Sequence, residues 1–331
     1  MSLERDIELL TTEAALCEPP RASRLELMGP DRERFFGGMV TAPVEGLEPG
    51  RGAFGFITDV RGRVLASATV MTLEDRLWLE IPRGRGRTII EHLEKYIVTD
   101  QVEILPLGDM ASVRIAGPKS VGVLADLGAT AARDLNEPWS HAQVEVLDYQ
   151  ARLVREGHSA VPAFSLWQSS AIAPLLAEDL AEAGLPQAGA EATEALRIEH
   201  GHPLWGVDYD DSNLPQETGI EDAVDYEKGC YLGQEIVARI HYRGHVNHHL
   251  RGLRWAPDAL RQAGDLVGAD LHAPSDGARP VGVVTSAVHS PRFGPIGLGY
   301  VRREIALGAV LEPIDHPGVA LHVTDVPFTH R

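Results

Sequence analysis

The chain is short of cysteine: 331 residues hold only Cys17 and Cys230. Two thiols so far apart in sequence make neither a disulfide framework nor, alone, a structural zinc site. Basic residues are also scarce, with 30 Lys and Arg against 48 Asp and Glu and a formal net charge of -18. That balance argues against broad binding to a phosphate backbone, which needs a dense basic face. No apolar run approaches the roughly 18 residues that span a bilayer. The opening MSLERDIELLTTEAAL has early acids and no uninterrupted apolar stretch, unlike a signal peptide. No G-x-x-x-x-G-K-[ST], G-x-S-x-G, H-E-x-x-H or EF-hand loop occurs. The expectation is a reduced, cytoplasmic, acidic globular protein with no membrane partner and no direct nucleic-acid partner.

The length predicts two or three domains at roughly 100–200 residues each. Residues 1–20 read as helix up to Pro19-Pro20. Runs 24–28, 50–57, 63–72, 77–81, 102–104 and 112–115 read as strands, with short helices after Gly29-Pro30-Asp31, over 88–96 and after Gly117-Pro118. Hairpins among these predict an α+β domain with mainly antiparallel pairing. Residues 140–200 predict two strands and then two helices, 169–183 and 191–200, the latter stopped by Gly201. From about 248 onward, short β-rich runs alternate with Gly, Pro and Asp turns, the pattern of a small barrel or sandwich. The boundaries drawn are 1–140, 141–247 and 248–331.

What is present and unusual is Lys228-Gly229-Cys230-Tyr231-Leu232-Gly233-Gln234-Glu235. A lysine stands two residues before the thiol, and Gly229 and Gly233 flank it. Ile236, Val237 and Ile240 then have helical spacing. Cys230 is therefore expected just before or on the first turn of a helix, where free N–H groups and an adjacent ammonium favour a thiolate. A conformational turn with a bystander thiol is the competing reading.

Three other groups carry chemistry more weakly. Arg83, Arg85 and Arg87 precede a helix and suit an anion, or form a solvated loop. His241, His245, His248 and His249 fall within nine positions, but Gly244 interrupts them, Arg243 and Arg251 repel a dication, and no metal site is assigned. Arg197 and Glu199 share a helix. The arginine suits a ligand carboxylate, or the two form an internal bridge.

KGCYLGQEIVARIHYRGHVN (228–247) closely resembles the signature of YgfZ-type folate-binding proteins, relatives of the aminomethyltransferase (T-protein) of the glycine cleavage system. LELMGPDRERFF (25–36), IAGPKSVGVL (115–124), ALRIEHGHPLWGVDYDDSNLPQE (195–217) and GVVTSAVHSPRFGPIGLGYVRR (282–303) extend the resemblance over nearly the whole chain. It implies a three-domain, aminomethyltransferase-like folate-binding fold with a small carboxy-terminal β-barrel. It also implies tetrahydrofolate or a derivative as cofactor, and a role in assembling or repairing iron–sulfur clusters, reaching tRNA-modifying enzymes. Partners are then folate and iron–sulfur assembly or client proteins. Arg197, Glu199, Tyr231, Gln234 and Glu235 are the implied folate contacts, Cys230 and Lys228 the reactive pair, and any catalysis a folate-dependent one-carbon transfer.

Departures separate two branches of this resemblance. Where the transferases carry an Asp-Asp pair after the first hairpin, this chain has Ala66-Ser67. A hydroxyl does not replace a carboxylate in proton transfer. The glycine-rich acidic stretch of the transferases reads Gly157-His158-Ser159-Ala160-Val161-Pro162-Ala163-Phe164, without its acid, and the Thr-Asn-Asp after the first helix is Thr41-Ala42-Pro43. Aminomethyl transfer is thereby disfavoured. It stays an alternative, as does a non-catalytic scaffold of the same fold.

Overall fold

The computed structural model describes residues 2–257, 263–274 and 279–329. Its contacts divide the chain into two units, Met1–Ala190 with Asp222–Gln234, and Glu191–Glu221 with Glu235–Arg331.

In the first unit, two hairpin-rich stretches build two antiparallel sheets. One has the order β3-β4-β5-β2-β6, from β2 (Ala22–Met28), β3 (Gly52–Thr58), β4 (Val64–Thr72), β5 (Arg76–Pro82) and β6 (Glu103–Pro106). The other runs β1-β7-β10-β9-β8, from β1 (Ala15–Cys17), β7 (Met110–Ala116), β8 (His141–Val146), β9 (Tyr149–Arg155) and β10 (Ala163–Ser169). Helices α1 (Leu3–Thr12), α2 (Arg32–Gly37), α3 (Gly86–Glu94), α4 (Ser120–Asp126) and α5 (Ala173–Glu182) accompany them. Strand alternation sends one face of each sheet into a core. Ala66, Ala68 and Val70 join Leu25, Leu27, Phe36, Leu77 and Leu79 under the first. Ile115, Leu153, Phe164 and Leu166 pack with Leu124, Leu176 and Leu180 under the second. The other faces contribute Met71, Val154 and Trp167 to a smaller cluster, with Trp78 and Met110 against it.

Two local expectations are corrected. The first helix stops at Thr12, and Ala15-Leu16-Cys17 is a strand pairing with β7, Ala15 opposite Ala116. All three of its residues are buried, so a tertiary edge overrides local propensity. Residues 140–200 hold three strands rather than two. The third, β10, takes the start of the run read as helix, and α5 begins only at Ala173 with Pro174 in its first turn.

The second unit holds α6 (Ala190–Glu199, its first residue in the other unit), most of α7 (Gln234–Arg243) and a closed barrel. Its strands are β11 (His248–Arg254), β12 (Asp270–His272), β13 (Pro280–Ser290), β14 (Gly294–Arg302), β15 (Val310–Pro313) and β16 (Leu321–Thr324), in the order β11-β14-β13-β12-β15-β16. The barrel expected from the turn-rich carboxy-terminal pattern is thus present. Leu253, Leu271, Val284, Val301, Leu311, Leu321 and Val323 fill it. Among the described residues no helix is long and apolar enough to cross a membrane.

Candidate functional site

The cysteine loop is tied to the segment that joins α2 to β3. Thr41 Oγ1 donates to the Ala223 carbonyl at 2.5 Å and accepts from the Phe56 amide at 2.7 Å. The Asp225 amide donates to the Thr41 carbonyl at 3.0 Å, and the Leu232 amide to the Gly38 carbonyl at 2.9 Å. Thr58 Oγ1 donates to the Leu232 carbonyl at 2.5 Å. Asp225 Oδ1 accepts the amides of Glu227 and Lys228. Gly233 has φ +82°, and a Cβ there would sit 2.4 Å from the Asp59 carbonyl oxygen, so only glycine fits.

Lys228 does not stand as a free ammonium beside the thiol. Its Nζ donates at 2.7 Å to each of the carbonyls of Gly37, Val40 and Ala42, which uses all three N–H bonds. Burial pulls its pKa down to about 8. Its place in the loop is that of a peg. Cys230 is an exposed free thiol. It lies four residues before α7, with Leu232-Gly233 forming a turn between, so the helix amides expected at the thiol begin further along the chain. Tyr231 is buried, its ring 5.4 Å from Lys228 Nζ and its hydroxyl sealed without a partner. Burial pushes that phenol up. Gln234 opens α7, Glu235 is exposed in the second unit, and Gly229 is exposed with open space at its Cβ.

The first unit also gathers an aromatic cluster that sequence reading missed. Phe54 on β3 stacks on Trp139 (centroids 5.7 Å apart), and His158 meets both edge-on at 4.4 and 5.4 Å. His158 Nε2 lies 3.1 and 3.2 Å from the two Asp222 carboxylate oxygens, while its Nδ1 is sealed without a partner. With Nε2 donating to Asp222, Nδ1 presents a lone pair among aromatic rings. Trp139 adopts φ 63°, rare for a bulky side chain. Gly157 leaves room for its ring, since a Cβ there would come within 2.5 Å of it. The segment carrying His158 is braced by Arg114, which bonds both Glu156 oxygens at 3.0 Å and Ser159 Oγ at 2.9 Å. A local signal existed only in Gly157-His158. Phe54, Trp139 and Asp222 come from distant segments.

In the second unit Arg197 and Glu199 are fully engaged. Arg197 donates to Glu194 (2.8 and 2.6 Å), Asp208 (2.6 Å), the His202 carbonyl (2.6 Å) and Ser286 Oγ (2.7 Å). Asp208, its side chain wholly buried, also accepts from the Leu204 amide, Thr285 Oγ1 and Ser286 Oγ. Successive residues of a strand normally point to opposite faces. The register shift between Val284 and Ser286 is what lets Thr285 and Ser286 reach the same carboxylate. Glu199, buried, is bonded by Ser290 and Arg292. The internal-bridge reading therefore describes this arginine, with Glu194 and Asp208 as partners in place of Glu199. Elsewhere, Arg87 pairs with Glu91, Arg85 bonds the Leu65 carbonyl, and His248 approaches Glu217 at 4.0 Å.

Comparison with known proteins places these features. Residues 1–228 match the family model described as the GCVT N-terminal domain. The chain belongs to the GCVT family. It is 28% identical to an aminomethyltransferase of Saccharopolyspora erythraea over 97% of this chain and 88% of that protein. It is 26% identical to the tRNA-modifying protein YgfZ of Cronobacter sakazakii over 92% of this chain and 89% of that protein. The solved aminomethyltransferase T of the glycine cleavage system from Bartonella henselae superposes with a TM-score of 0.84 at 21% identity, covering 99% of this chain and 90% of that one, and shares the fold. The YgfZ-type resemblance seen in the sequence stands with these relatives, and this GCVT-family chain is of that type.

Within this family member, β4 has no ionisable side chain. Ala66 is buried in the core and Ser67 lies opposite Phe56. No carboxylate stands at Ala66-Ser67, the place of the transferases' Asp-Asp pair in the sequence resemblance.

Proposed function

We propose that the chain is a tetrahydrofolate-binding factor for the assembly or repair of iron–sulfur clusters, through which it affects tRNA-modifying and other cluster enzymes. The observation that carries this reading is the pinned loop. Cys230 stands exposed on a backbone held at Lys228, Leu232 and Gly233, while β4 offers no acid for aminomethyl transfer. The similarity to proteins named tRNA-modifying protein YgfZ supports it.

The aromatic cluster suits a pterin, a planar heterocycle with N–H donors. Phe54 and Trp139 provide aromatic surface, and His158 Nδ1 provides an unengaged acceptor. These three residues would hold the ring. Arg197 and Glu199 are left out, because their donors and acceptors are engaged within their own unit. Folate, when bound, supplies a carrier for one-carbon units. Cys230 contributes an exposed thiol toward a cluster or a partner protein. Such clusters usually take four thiolates, so one cysteine handles a cluster only as shared cargo.

Calorimetric titration with tetrahydrofolate and folinate tests the cofactor. Micromolar binding to wild type, weakened in His158→Ala and Trp139→Ala, is expected, and no binding to wild type would leave a scaffold of the same fold. Cys230→Ser is expected to abolish rescue of a strain lacking its own factor. Full rescue would end the thiol role. Formation of methylene-tetrahydrofolate from an aminomethyl-lipoyl carrier would replace this reading with aminomethyl transfer.

A further inference from the structure

Arg152 lies on β9 opposite Trp167 of β10 and Gln143 of β8, so the three side chains share one sheet face. Its guanidinium carbon is 5.5 Å from the centre of the Trp78 ring on the facing sheet. Among the described residues it has one hydrogen-bond partner, His141 Nδ1, at 2.9 Å from Nη1. Its Nε is sealed from solvent without a partner.

The other inward-facing arginines of these two sheets have acids. Arg24 pairs with Glu80, Arg76 with Glu26 and Asp75, and Arg114 with Glu156. Among the described residues Arg152 has none, in a chain of net charge -18. His141 is no substitute. It is 2% exposed and its Nε2 faces the Arg51 carbonyl at 3.1 Å, so Nε2 carries the proton and Nδ1 offers Arg152 only a neutral lone pair. Burial, then the neighbouring Arg152 charge, holds that imidazole neutral, with a pKa down to about 4. Of the five guanidinium N–H bonds, one serves His141 and one is sealed. The remaining three have no acceptor among the described residues, and the exposed Gln143 amide stands one strand away. A half-buried cation without a counter-ion is costly, and a guanidinium fork matches carboxylate and phosphate oxygens.

We propose that Arg152, with Gln143 at its rim and the Trp78 ring across from it, is a binding site for the oxyanion group of a small ligand, a carboxylate or a phosphate. The site is independent of the folate reading, and either stands or falls without the other.

The test is calorimetric titration of the full chain with sodium phosphate and, separately, sodium glutarate, with chloride keeping ionic strength constant. Saturable binding of at least one probe is expected, weakened at least about tenfold in Arg152→Gln, as the loss of a charge-assisted hydrogen bond implies. Phosphate alone binding assigns a phosphorylated ligand, and glutarate alone a carboxylate. No saturable binding in wild type, or equal affinity in Arg152→Gln, overturns the proposal. Should Arg152→Gln fail to fold, Arg152→Lys decides. It keeps the charge and loses the planar fork, so reduced affinity supports the site and unchanged affinity overturns it.

Discussion

Thr41 and Ala223 are 182 residues apart in sequence, yet the Thr41 hydroxyl donates to the Ala223 carbonyl at 2.5 Å. The same oxygen accepts the Phe56 amide, so one buried side chain ties the start of the cysteine loop to strand β3. Thr41→Val keeps the shape and removes both bonds. It is expected to cost about 1–3 kcal/mol, since it leaves a buried carbonyl and a buried amide unpaired. Denaturant unfolding checks the cost. Faster amide exchange across 223–232, relative to the rest of the unit, checks the location.

Gly233→Ala places a methyl 2.4 Å from the Asp59 carbonyl oxygen at a positive φ. The loop must move or strain, at a cost of at least about 1 kcal/mol. Cys230→Ser, by contrast, alters an exposed side chain and is expected to shift stability by less than about 0.5 kcal/mol. Chemical denaturation of the two variants side by side separates a structural loop residue from a reactive one.

Arg197→Ala removes the cation from a wholly buried Asp208. An uncompensated buried charge costs about 3–5 kcal/mol. Equilibrium unfolding measures this, and Asp208→Asn added to Arg197→Ala should recover part of the loss. A loss under about 1 kcal/mol would mean the guanidinium is not the brace inferred here.

His141 predicts an acid-sensitive fold. Its folded pKa, down to about 4, lies below its unfolded value near 6.5, because burial and then Arg152 disfavour the imidazolium. The unfolded chain therefore binds the proton first, and stability is full above pH 6.5 and falls as pH drops toward 4. Between pH 7 and pH 5 this one residue should remove about 2 kcal/mol. His141→Gln should flatten that part of the stability profile, measured by urea midpoints at each pH.

Much of the architecture was legible from local pattern. Runs rich in β-branched and apolar residues, such as 63–72 and 77–81, became β4 and β5, and the turn-punctuated end of the chain became a closed barrel. Pattern failed where a partner decided the outcome. Ala15-Leu16-Cys17 is too short to announce itself, and is a strand because β7 offers an edge. Lys228 next to a thiol in sequence reads as an activating charge. Three carbonyls of residues 37–42 claim it instead.

The sequence alone determined most of the order of helices and strands, the family signature around Cys230 and the absence of acids at Ala66-Ser67, because each is carried by neighbouring residues or by residue type. Only the tertiary structure decided which groups meet. It joined Phe54, Trp139, His158 and Asp222, spent Arg197 on Asp208, and left Arg152 without an acid among the described residues. The physical reason is one of range. Periodicity and propensity act within a turn or a pleat, whereas a hydrogen bond or an ion pair depends on which distant segment the packing brings within about 3 Å.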